Sequence, residues 1–159
     1  MNNIFEIKKI YTIIFIISLL SLLIALYIEF FLGYSPCKLC IYQRIPYLVA
    51  IFLSFLGISY SKNLVWLYAL LLIFFSSFLL SGYHFGIEQE IFKEFSGCTG
   101  NSLNIIDKNE LLKLLNSEVN SCKNVDFRIL GLSLATINFL LSCLIFVLIL
   151  KVIKNEKNK

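Results

Sequence analysis

Charge is scarce in this chain. Only 15% of its 159 residues are Asp, Glu, Lys or Arg, where a soluble domain carries roughly a quarter. That shortage excludes disorder, which needs high charge and low hydrophobicity. Proline occurs twice and glycine seven times, too few for a collagen-like or linker-rich chain. No internal repeat stands out. No basic stripe with interleaved aromatics exists, which sets nucleic acid aside as a partner. What is abundant is apolar: 58% of residues are hydrophobic and mean hydropathy is +0.83. An ordinary soluble globule of this size could not hide so much apolar surface. The composition predicts an all-α integral membrane protein, a single domain over residues 1–159.

The apolar residues fall into four runs, over 10–32, 41–60, 64–85 and 129–150. A bilayer core about 30 Å thick needs about 20 helical residues. Lipid offers the backbone no hydrogen-bond partners, so runs of this length are helices. The expected fold is a four-transmembrane-helix bundle with a short outer loop at 33–40 and a long one at 86–128. The first run is longer than a signal-peptide core and no small-x-small cleavage site follows it, so it reads as a retained span. Lys8, Lys9, Lys62, Lys151, Lys154, Lys157 and Lys159 lie at the two ends and in the tight turn Ser61-Lys62-Asn63. The positive-inside rule puts those positions in the cytoplasm and both loops outside. Within the long loop, Asp107 and Glu110 form a capping pattern ahead of Leu111, Leu112, Leu114 and Leu115. This predicts a short amphipathic helix lying on the bilayer surface or over the bundle mouth.

The expected topology sorts the five cysteines. Cys37 and Cys40 fall in the short outer loop, Cys98 and Cys122 in the long one, and Cys143 deep in the fourth span. Outward-facing space is where disulfides form and persist. Cys143, buried among apolar residues, reads as a small hydrophobe. Cys37-Lys38-Leu39-Cys40 is a C-x-x-C, which by itself fits a redox dithiol, a structural disulfide or half a metal site. Pro36 precedes it and a membrane helix opens at it. A thiolate there is stabilised by free N–H groups and the helix dipole. Arg44, four residues after Cys40, is expected to share its face and lower its pKa. The structural alternative makes Arg44 a head-group anchor. Cys98 follows Gly97 in an accessible segment suited to exchange with an external thiol, or to a loop staple.

The string Cys37-Lys38-Leu39-Cys40-Ile41-Tyr42-Gln43-Arg44 closely resembles the C-x-L-C-x-Y-[QE]-R signature of the disulfide bond formation protein B (DsbB) family. The likeness continues through Tyr83-His84-x-Gly86-x-Glu88, Cys98-Thr99-Gly100 and Leu130-Gly131-Leu132-Ser133 after Cys122. The quoted residues fall in the second, third and fourth runs and both outer loops; Cys143 lies outside the pattern. The resemblance implies a quinone-dependent protein-disulfide oxidoreductase of the bacterial inner membrane. It implies redox-active disulfides Cys37–Cys40 and Cys98–Cys122, and ubiquinone or menaquinone as cofactor. It also implies a periplasmic thioredoxin-like partner of the DsbA type, recharged for disulfide formation in exported proteins. In that scheme the partner thiolate attacks Cys98, Cys122 resolves it and pairs transiently with Cys37, and Cys40 donates to the quinone beside Arg44. DsbA itself is known as a strong oxidant at about −120 mV, beyond the reach of a glutathione-like buffer. His84 becomes a candidate cofactor-binding residue and proton donor to reduced quinone, with a polar interface anchor as the plain reading. Glu29 is explained by snorkelling to water.

Three rivals accompany this reading. A vitamin K epoxide reductase-like protein shares the arrangement of four spans and cysteines, but Tyr42-Gln43-Arg44 favours DsbB. A metal-binding membrane protein is weakened because no Cys-His cluster of known spacing is present, and no metal is expected. A membrane adaptor with purely structural disulfides is the third.

Overall fold

The computed structural model describes residues 2–61, 63–93, 122, 128–129 and 131–158. Four helices dominate: α1 Asn2–Phe30, α2 Lys38–Ser59, α3 Val65–Glu88 and α4 Leu134–Lys157. Each contains an apolar stretch long enough to cross a bilayer; even the shortest, α2, rises about 33 Å. The fold is the all-helical, multi-pass membrane architecture that the four apolar runs predict. α1 packs on α2, α2 on α3 and α3 on α4, whereas α1 meets α4 only lightly.

The distribution of side chains inverts that of a soluble bundle. Leu48, Phe52, Phe55 and Leu72 point outward, while Ser18, Ser54, Ser77, Ser81 and Ser142 are fully buried. Lipid tails are as apolar as leucine, so helices associate through close packing of small residues and hydroxyl bonds. Ser77 Oγ lies 3.0 Å from Ser142 Oγ, joining α3 to α4. Gly57 lets the buried ring of Tyr11 lie against the α2 backbone: a Cβ there would stand 2.5 Å from Tyr11 Cε1. Around these contacts Tyr47, Ala50, Leu67, Leu70, Phe74, Ile145 and Ile149 fill the core.

The helix ends differ from the expected ones for local reasons. α2 opens at Lys38, so Leu39 and Cys40 belong to the helix instead of the loop. α1 stops at Phe30, and Gly33 then takes the left-handed conformation at φ +76°. α4 begins at Leu134, not at 129, because the residues before it form a small antiparallel ladder. Arg128 pairs with Ser133 and Ile129 with Leu132, and Gly131 turns the chain at φ +84°. Ser133 Oγ then accepts from the Thr136 N–H at 3.1 Å and caps the helix. The far end reaches Lys157, with Lys154 and Lys157 in the last turn, where cations suit the dipole. The turn residue Lys62, Lys159 and the amphipathic helix expected near 107–115 lie outside the described residues.

Candidate active site

Cys37 is the N-cap of α2. Its extended backbone, at φ −68° and ψ 165°, turns the sulfur toward the first free N–H groups, and Sγ accepts from the Cys40 N–H at 3.2 Å. Cys40 is the third helical residue, half-buried one turn further along. Both are free thiols. The Cys37 thiol is held below the ordinary thiol range. A hydrogen bond from the Cys40 side chain is the largest cause; the bond from His84 and the Cys40 N–H add to it, against the effect of burial. Sequence reasoning assigned the stabilised thiolate to Cys40. The helix begins earlier than expected, so its N-terminus serves Cys37 instead. Nor does Arg44 turn to Cys40: its Nη1 pairs with Glu29 Oε2 of α1, with side chains 20% and 27% exposed. Glu29 is thus tied to a cation instead of snorkelling alone.

His84 of α3, 3% exposed, sits directly beside Cys37. Its Nε2 lies 3.7 Å from Cys37 Sγ and 3.9 Å from Glu88 Oε1, one turn on. Ser133 donates to the other Glu88 oxygen. On the opposite ring edge, Gln43 Nε2 is 3.0 Å from Nδ1. Asn138 Nδ2 of α4 donates to Gln43 Oε1 at 2.8 Å, and Tyr47 donates its phenol to Asn138 Oδ1. Ser142 approaches both Tyr47 and Asn138 at 3.4 Å. Gln43 and Tyr47 lie four apart on α2, and Asn138 and Ser142 four apart on α4, so each pair shares a helix face. Together they form one buried polar chain from Cys37 into the bundle.

The long loop is anchored against this site. Ile91 and Phe92 turn back to donate N–H groups to the Gly86 carbonyl at 2.9 and 3.2 Å. The Phe92 ring lies on Gly86, where a Cβ would come within 2.2 Å of its Cδ2. Cys122, 2% exposed, packs with Cys37, Leu39 and Ile87. The donor atoms of Cys37, His84 and Cys122 all lie within 4.8 Å of one another, and the Cys122 carbonyl also accepts from the His84 ring. Cys122 is disulfide-bonded. That spacing could suit a metal, but a disulfide sulfur carries no thiolate to give one. What the cluster brings together is a free thiol beside a disulfide sulfur, the geometry of exchange.

Of the predicted site residues, Cys37, Cys122 and His84 converge, with Cys40 adjoining. Arg44 stands apart with Glu29, and Cys98 lies outside the described residues. Gln43, Tyr47, Glu88, Ser133 and Asn138 had no assigned role. Asn138 carried a usable signal, because an amide inside an apolar span is costly unless it is bonded.

A four-helix membrane bundle with a dithiol at one helix mouth, against a disulfide from a following loop, defines a membrane thiol–disulfide oxidoreductase. A family model, disulfide bond formation protein DsbB, matches residues 7–152, and the chain belongs to that family, whose work is disulfide bond formation. Two relatives illustrate the spread. An uncharacterized protein of Rickettsia prowazekii (strain Madrid E) is 30% identical over 159 aligned residues, covering 96% of this chain and 91% of its own. Disulfide bond formation protein B of Xylella fastidiosa (strain Temecula1) is 29% identical over 119, covering 69% and 68%. A second strain of that species has a protein of the same name with the same identity and coverage.

Proposed function

We propose that this protein reoxidises a periplasmic thioredoxin-like disulfide donor of the DsbA type and passes the electrons to a membrane quinone. The reading places it in the bacterial inner membrane, both ends cytoplasmic and the cysteine loops periplasmic. The observation that carries it is the approach of Cys37 and Cys122, whose sulfurs lie within 4.8 Å though they come from different loops.

The exchange balances sulfur by sulfur. The partner thiolate attacks Cys98 of a Cys98–Cys122 disulfide and releases the Cys122 thiolate. Cys122 attacks Cys37 of a Cys37–Cys40 disulfide and releases the Cys40 thiolate. The partner's second thiolate then frees Cys98, which attacks Cys122 and releases Cys37. Two electrons and two protons now sit on Cys37 and Cys40, and Cys122 is again in a disulfide. The structure has that distribution of thiols and disulfide at Cys37, Cys40 and Cys122.

A bound quinone supplies the two-electron acceptor for this pair. The residues at the α2 mouth fit such a group. Arg44 gives one donor to Glu29 and its planar fork has others for a carbonyl oxygen. Ile41, Tyr42 and Ile45 face outward beside it, an apolar setting for a ring and tail. Arg44 would hold the head group, and Cys40 lies one turn away. His84 is seated on Cys37, which favours a role at the thiolate over proton donation to reduced quinone.

The test is turnover in detergent with a soluble quinone and a reduced thioredoxin-like partner, following quinone absorbance and partner thiols together. One quinone should be reduced per partner disulfide formed, and Cys122→Ser should accumulate a partner mixed disulfide at Cys98. Partner oxidation without quinone reduction would sink the coupling; equal trapping by Cys98→Ser would reverse the assignment of the attacked sulfur.

A further inference from the structure

His84 is the only histidine in the chain, and its two ring nitrogens meet different surroundings. Around Nε2 stand acceptors: the Cys37 sulfur at 3.7 Å and the Glu88 carboxylate at 3.9 Å. Nδ1 meets the Gln43 side-chain amide at 3.0 Å. Which end of that amide faces the ring is fixed one step away. Gln43 Oε1 is occupied by the Asn138 N–H at 2.8 Å, so the NH₂ end is the one left for His84. Asn138 is oriented in turn, because its Oδ1 accepts from Tyr47 and from Ser142. A donor facing Nδ1 requires a lone pair there. The neutral ring must then carry its proton on Nε2.

We propose that Gln43, oriented by Asn138 and Tyr47, is a positioning residue that holds His84 in the Nε2–H form and so aims its single proton at the Cys37 sulfur. The chain has a second self-consistent arrangement, with both amides reversed and Nδ1 protonated. In that arrangement a neutral ring presents a lone pair to Cys37, which suits a thiol and opposes a thiolate. The acceptors crowding Nε2 select the first arrangement, and the α2–α4 amide pair transmits that choice from the bundle interior to the redox centre. Among the described residues, the charged side chain facing the ring is Glu88 of α3, beside Cys37 from the start of α2 and Cys122 from the loop. The proposal deepens the thiol-oxidase reading and rests on it for its purpose, but not for its test.

The test uses full-length protein in micelles, reduced at Cys37 and Cys40 and labelled with ¹⁵N-histidine, which gives one imidazole. The native protein should show a protonated Nε2 and a bare Nδ1 near neutral pH. Gln43→Leu and Asn138→Leu should each convert this into a mixture of tautomers, and should slow iodoacetamide capture of Cys37 at pH 7 about threefold to tenfold. Gln43→Asn, which keeps an amide on a shorter stem, should retain more of the Nε2–H signal than Gln43→Leu. A native Nδ1 that carries a proton, alone or with Nε2, overturns the assignment, since an NH₂ group cannot face it. A native pattern unchanged in Gln43→Leu and Asn138→Leu would also overturn it, because the ring would then hold its form without the amides. If the tautomer behaves as stated and turnover with quinone still fails, the thiol-oxidase reading falls alone.

Discussion

Replacing His84 by leucine should make the Cys37–Cys40 disulfide harder to reduce. The contact between His84 Nε2 and Cys37 Sγ, at 3.7 Å, stabilises a thiolate, which exists only in the reduced pair. Stabilising the reduced form raises the potential, so removing the contact lowers it. A hydrogen bond to a charged group contributes about 1.5 to 3 kcal/mol. Both groups are buried, at 3% and 8% exposure, so solvent screening takes little from that figure. For a two-electron couple about 30 mV corresponds to 1.4 kcal/mol, giving a drop of about 30 to 60 mV; the long contact argues for the lower half. Leucine also leaves Gln43 without its ring partner and lowers overall stability. That loss is common to both redox forms and cancels in the potential. The assay equilibrates a Cys98→Ser, Cys122→Ser, Cys143→Ser background with dithiothreitol buffers, then acid-quenches and counts alkylated thiols. A shift below about 10 mV, or an upward one, would refute the claim that His84 supports the thiolate.

Three further outcomes follow from the geometry. The Cys37 pKa lies below the ordinary thiol value, so its stabilisation of the dithiol form is complete above that value and fades as pH falls through the lowered one. Iodoacetamide capture of Cys37 should therefore stay near its plateau well below pH 8, and Cys40→Ala, which removes the largest cause, should move the profile up further than His84→Leu. Gly57→Ala should destabilise the bundle by about 1 to 3 kcal/mol, read by thermal unfolding in micelles, because the added Cβ would meet the buried Tyr11 ring at 2.5 Å; an unchanged midpoint would show the ring free to withdraw. Arg44→Leu should raise the quinone KM about tenfold to a hundredfold, the equivalent of about 1.5 to 3 kcal/mol, and lower stability by orphaning Glu29; adding Glu29→Gln should restore stability but not quinone use.

The spans were legible because lipid permits only one kind of element for a long apolar run. Their ends were less so. Whether 129–133 extends a helix or precedes it depends on Gly131 taking a positive φ and on Ser133 acting as a cap, and the flanking Leu130 and Leu132 read equally well as membrane. Cys37 precedes α2 as expected and meets Cys122, but Cys40 lies in the helix instead of the short loop and Cys98 lies outside the described residues, so the chemistry of the C-x-x-C turns on where α2 begins. The dipole was expected to serve a thiolate of the C-x-x-C, and a helix starting at 38 gives it to Cys37, the N-cap. Arg44 shows the limit of reasoning within one helix. Its spacing from Cys40 was correct, yet Glu29 on a neighbouring helix offers an opposite charge, which outweighs a shared face. Asn138, Tyr47 and Gln43 meet only through tertiary packing, and no spacing in the chain relates them.

The C-x-x-C spacing and the helix start together make the two thiols unequal, as the proposed electron path from water to lipid requires. Cys37 as N-cap sits outside the first turn, where its sulfur reaches free N–H groups and also faces His84 and Cys122. Cys40, three residues on, returns to nearly the same azimuth on the helix but about 4.5 Å deeper. Two residues between the cysteines keep the sulfurs in contact; one fewer would place Cys40 about 200° around the helix from Cys37. The same spacing gives them different neighbours. The outer sulfur meets the loop disulfide, and the inner one lies a turn from Arg44 beside the outward-facing Ile41 and Ile45. The Cys40 contact, the helix cap and His84 favour a thiolate at Cys37, so the pair is not two equivalent thiols. Under the proposed function, that asymmetry, set by one helix boundary and one buried histidine, assigns exchange with the loop to one sulfur and electron release toward the lipid to the other.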